Sequence, residues 1–117
     1  MDSILLSIKK LLGLNPEYEE AFDTDIIMHI NSVFSILRQL GVGPTEGFKI
    51  TSDVETWEDY VTTVDLEMVK SYIYAKVRLI FDPPSNSGVR DSFQSYISEF
   101  EWRLNVAVDP EDGGWED

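Results

Sequence analysis

The residues of this 117-residue chain that could do chemistry are mostly carboxylates: 22 Asp and Glu stand against 9 Lys and Arg, one His and no Cys. The lack of cysteine removes disulfides, thiolate metal sites and cysteine nucleophiles together, and a single histidine cannot supply a two-histidine metal site. That histidine, His29, follows Asp25 at the four-residue spacing of neighbours on a helix face. An Asp25–His29 pair there reads as an ordinary surface ion pair rather than a catalytic dyad. Asp23 with Asp25, Glu58 with Asp59, and Glu99 with Glu101 are carboxylate pairs to consider for a divalent ion or for acid/base work. Adjacent or alternate acids on a helix diverge, so these read as solvated faces. There is no Gly-x-Ser-x-Gly, and Gly41-Val42-Gly43 follows a helical run and precedes Pro44, the wrong order for a phosphate cradle. The expectation is a protein without catalytic residues, cofactor or metal.

The charge balance narrows the partners. A net charge of −13 repels nucleic acid and anionic membranes, because affinity for phosphate backbones comes mostly from Lys and Arg. Three of the few cations, Lys70, Lys76 and Arg78, fall within nine residues. In so acidic a chain they are expected to pair with carboxylates of the same subunit or a neighbour, as are Arg90 and Arg103. No window approaches the roughly 20 apolar residues that cross a bilayer. The first residues carry their positive charges after the apolar run, unlike a secretory signal. A cytoplasm, or a particle assembled in one, is the expected setting.

The elements that position these groups follow from apolar spacing. Residues 2–12 set Ile4, Leu5, Ile8, Leu11 and Leu12 on one side of a helix, with Asp2 or Ser3 as cap and Gly13 as stop. The acidic stretch Glu17–Glu20 reads as a solvated loop. Residues 23–40, capped by Asp23 or Thr24, carry Ile26, Ile27, Ile30, Val33, Phe34, Leu37 and Leu40 at helical spacing. Residues 42–64 are an irregular excursion, with a possible short β segment at 47–51 and one or two helical turns around Trp57 and Tyr60, which need a surface to pack on. Asp65 caps a central helix whose stripe is Leu66, Val69, Ile73, Val77 and Ile80, ended by Pro83-Pro84. A last helix, about 88–106 with Ser87 as cap, buries Phe93, Ile97, Phe100 and Leu104, supported by Val89 and Tyr96. The fold class is all-α, a small bundle of about four helices. Residues 1–108 form one domain and 109–117 an acidic, flexible C-terminal tail.

Two apolar residues miss their stripes. Leu6 lies opposite the first helix's core face, and Trp102 opposite that of the last helix. With Trp115 in the tail, they suggest a second apolar surface for protein contact, to which Arg103 and Val106 at the end of the last helix belong.

The runs "LLSIKKLLGL" (5–14), "FDTDIIMHINSVFSILRQLGVGP" (22–44), "WEDY" (57–60), "VKSYIYAKVRLIFDPPSNS" (69–87) and "EFEWRLNVAVDP" (99–110) together resemble the small head-tail connector proteins of long-tailed phages and prophages. The resemblance covers nearly the whole chain and is most specific over Tyr72–Pro84 and Glu101–Asn105. It implies a structural adaptor in the virion neck, made in the host cytoplasm, that assembles as a ring of about twelve copies under the portal protein after DNA packaging. It also implies a downstream neck, tail or stopper protein as partner, and DNA passing through without specific binding. The last helix and tail, with Trp102 and Arg103, would dock on the portal. An acidic lumen suits sliding DNA, since attraction to phosphate impedes passage. The charge also admits a different reading, an acidic DNA mimic or inhibitor that binds a host factor.

Overall fold

A computed structural model describes residues 3–15, 20–60 and 65–108. Among these residues the structure is all-helical: α1 (Ile4–Leu11), α2 (Asp23–Gln39), α3 (Trp57–Tyr60), α4 (Leu66–Phe81) and α5 (Ser87–Val108), with no strand. The possible β segment at 47–51 is irregular backbone, and one isolated antiparallel bridge joins Ser3 to Thr56.

Three of the long helices, α1, α4 and α5, start where a side chain satisfies a free backbone N–H group. Ser3 Oγ accepts from the Leu6 N–H at 3.2 Å, and Asp65 Oδ1 from that of Glu67 at 3.0 Å, as the sequence implies. Two expected caps are different. Ser87 is the first residue of α5, and Asn86 caps it: its Oδ1 accepts from Val89 N–H at 3.1 Å while its carbonyl takes Arg90 N–H at 3.0 Å. Asp23 is already helical, Phe22 occupies the cap position without a side-chain bond, and the Asp23 carboxylate is drawn instead to Lys9.

The central position of α4 follows from its broad apolar surface. Val69, Tyr72, Ile73, Ala75 and Val77 are buried, against α2 on one side and α5 on another, with α1 closing a third. From α2 come Ile26, Ile30, Val33, Phe34 and Leu37, from α1 Ile4, Leu5 and Ile8, and from α5 Ile97 and Leu104. Each of the Val, Leu, Ile and Phe side chains among them contributes about 1.5–3 kcal/mol on leaving water.

The ends of the stripes depart from simple periodicity. Leu11, Ile80, Val89 and Tyr96 were expected on core faces and are 51%, 53%, 43% and 57% exposed. All four lie near helix ends or on the outer flank of α5, where no neighbouring helix continues the cover. At the end of α4, Phe81 turns inward instead, meeting Phe22 edge-to-face at 5.3 Å.

The excursion does pack over the helices, and Trp57 and Tyr60 are both buried. Asn31 of α2 holds Ile50 by both backbone groups: its Oδ1 accepts the Ile50 N–H at 2.7 Å and its amide donates to the Ile50 carbonyl at 2.9 Å. Ile50 is thereby delivered to the core. Phe34, Phe48 and Tyr60 form an aromatic cluster with centroids 4.6–5.3 Å apart. Gly43, at φ +90°, lies so close to the Tyr60 ring that a Cβ would stand 2.8 Å from Cε1. Glycine is required there by both backbone geometry and space.

Candidate protein-interaction surface

The polar groups that approach one another in this fold hold helices together. Tyr72 Oη donates to Glu101 Oε2 at 2.8 Å, and Lys76 Nζ stands 3.9 Å from the same oxygen. Burial, then the hydrogen bond and charge of Glu101, push the Tyr72 phenol well above its ordinary pKa. A phenol made harder to ionise is a poor base or nucleophile, and the cluster pins α5 to α4.

The other cations of the central helix also find partners within the chain. Lys70 Nζ lies 3.6 Å from Glu67 and 5.3 Å from the Trp57 ring centroid, and Arg78 contacts Asp82 at 4.0 Å and donates to Tyr74 Oη at 3.0 Å. Lys70, Lys76 and Arg78 are expected to pair with acids of their own subunit or of a neighbour, and each meets a carboxylate of its own chain. Arg103 pairs with Glu99 at 2.6 Å, while Arg90 donates to the Pro84 and Ser85 carbonyls. Asp25 and His29 do not form the ion pair their spacing permits. Among the described residues no three His, Asp or Glu side chains converge as a metal set.

One charged contact was not anticipated. Lys9 is fully buried, with Nζ 2.7 Å from Asp23 Oδ1, linking the end of α1 to the start of α2. The sequence does hold a signal: Lys9 is four residues after Leu5 and next to Ile8, inside the stripe, where a long stem lies along apolar neighbours. An ammonium there also faces the carbonyl end of α1, a favourable place for positive charge.

Trp102 is 68% exposed on the outer side of α5, two residues from the fully buried Leu104. At 100° per residue, the core contacts of Ile97 and Leu104 leave Trp102 no helix to pack on. Arg103 is about half exposed beside it, Val106 is half-buried, and Asn105 reaches the Leu40 carbonyl at 3.5 Å. Leu6, the other off-stripe residue, is half-buried rather than free. Trp115 lies outside the described residues.

A groove that sequence reasoning missed runs between α1 and α4. It is about 580 Å³ in volume and is lined by Ser7, Lys10 and Leu11 from α1 and by Glu67, Lys70, Ser71 and Tyr74 from α4. Its lining joins the apolar surface of Leu11 and Tyr74 to two ammonium groups, Lys10 and Lys70, and one carboxylate, Glu67. Lys10 makes no ion pair among the described residues, and the one acid paired with Lys70 there is the mostly exposed Glu67. Neither spacing nor composition reveals such a groove, because it exists only where α1 and α4 meet.

No helix of the described residues is long and apolar enough to cross a membrane. What the arrangement offers is protein contact: a projecting indole on one helix and an amphipathic groove between two others. No curated protein and no solved structure matches the chain. A family model described as "Phage connector protein" matches residues 4–111, nearly the whole chain and all five helices, and the protein therefore belongs to the phage connector family.

Proposed function

We propose that this protein is a structural head-tail connector, an adaptor that forms a ring under the portal vertex after DNA packaging and joins the head to the next neck or tail protein. The match to the connector family over residues 4–111 carries the reading. The exposed Trp102 supports it, since a ring subunit needs surfaces for its neighbours as well as a core. The role is one of assembly, without catalysis, metal or cofactor. Its partners are the portal protein, a downstream neck, tail or stopper protein, and further copies of itself. A net charge of −13 suits a channel that DNA slides through without adhering.

The deciding experiment adds purified protein to DNA-filled, portal-bearing heads that lack it and scores tail attachment and infectivity. Restored infectivity is expected, and failure under conditions where an established connector restores its own heads overturns the assignment. The same acidity favours a second reading, a DNA mimic that blocks a basic host factor. Competition with DNA for a host nuclease, in place of head completion, would establish that alternative.

A further inference from the structure

We infer that the groove between α1 and α4 is the receptor for Trp102 of a second copy of this chain, making a head-to-tail contact. The inference rests on the ring assembly proposed above and names the surfaces that form it.

The two features lie on different elements, the groove between α1 and α4 and the indole on α5. Glu67, Lys70, Ser71 and Tyr74 share one face of α4 and open toward α1. Glu101 of α5 reaches Tyr72 and Lys76, which at 100° per residue point roughly 150–170° away from that face. Trp102, the next residue along α5, is exposed on the side of that helix turned from Leu104 and the core. Two different patches on one chain form a heterologous contact, which closes into a ring when the rotation per subunit permits.

The chemistry of the patches is complementary. An indole offers an apolar body and a negative π face to an ammonium group. The Leu11 and Tyr74 lining takes the first, and Lys10 and Lys70 the second. Lys70 already stands over one indole, that of Trp57, at 5.3 Å. Beside Trp102, one turn back on the approaching helix, Glu99 adds a half-exposed carboxylate, which it shares with Arg103 at 2.6 Å. Two copies each carrying −13 repel overall, so a contact between them needs local opposite charge. Lys10 supplies it, being exposed and without an acidic partner among the described residues.

The natural absence of cysteine permits a direct test in the full chain. Ser71→Cys marks the groove and Ser98→Cys marks the Trp102 side, one helical turn from the indole; both serines are exposed. A short bismaleimide added to concentrated double variant should give a ladder of cross-linked oligomers, whereas each single variant alone should give none. Trp102→Ala or Lys10→Glu/Lys70→Glu, in the double-cysteine background, should lower the ladder at least tenfold while the circular dichroism melt stays cooperative. Lack of a ladder overturns the inference, and so does self-cross-linking of Ser98→Cys, which would show Trp102 faces meeting each other. Oligomers seen by light scattering without a ladder would remove this interface and leave the ring reading standing; failed head completion with a ladder present would do the reverse.

Discussion

Trp102 and Leu104 are two residues apart on α5, and truncating each to alanine should have opposite consequences. Leu104 is fully buried, so Leu104→Ala removes packed atoms and leaves a cavity, at about 2–5 kcal/mol. Trp102 is 68% exposed, so only about a third of its surface is covered in the isolated subunit. For a side chain of about 250 Å², that third is roughly 80 Å², or at most about 2 kcal/mol at 25 cal/mol per Å². The true loss is smaller, because the unfolded chain also hides part of its apolar surface. The remaining two-thirds is available to a partner. Burying it contributes up to about 4 kcal/mol, in the range of an interface hot spot. Urea denaturation followed by circular dichroism, beside head-completion titration, separates the two effects. Leu104→Ala should shift the unfolding midpoint strongly, and Trp102→Ala should shift it little yet weaken completion at least tenfold. A Trp102→Ala protein as destabilised as Leu104→Ala would refute the assignment of Trp102 to an outward surface.

Other substitutions probe the core. Ile73→Asp places a carboxylate at a fully buried position and should abolish cooperative unfolding, a loss of several kcal/mol visible as a missing thermal transition. Tyr60 Oη is buried without a hydrogen-bond partner among the described residues, so Tyr60→Phe should stabilise the fold by about 1 kcal/mol, read as a higher urea midpoint; destabilisation would reveal a partner for the hydroxyl. Burial raises the pKa of both Tyr60 and Tyr72 in the folded state. Each phenol then holds its proton more tightly when folded, so stability is intact below the ordinary tyrosine pKa of about 10 and falls above it, by up to about 1.4 kcal/mol per pH unit per tyrosine. Stability measured between pH 9 and 11 should show that fall, and Tyr60→Phe should make it shallower.

Much of this molecule is legible in its sequence because the deciding physics is local. Apolar spacing gives α2 and α4 within a residue of their observed ends, Asp65 and Ser3 cap where expected, and the Pro83-Pro84 pair ends α4. The outward position of Trp102 follows from helix periodicity alone, and belonging to the connector family is carried by runs of residues along the chain. The tertiary structure decides what depends on which helices meet. Ile80 and Tyr96 share a stripe with core residues and are still exposed, because periodicity specifies a face without specifying how far a neighbour covers it. Lys9 is fully buried because α2 brings Asp23 to it, and the hold of Asn31 on Ile50 joins residues 19 apart in sequence, from α2 to the irregular excursion. The groove that presents Lys10 and Lys70 together belongs to neither α1 nor α4 alone. A sequence sets the pattern on each helix, and the surfaces between helices come into being only when those patterns are packed against one another.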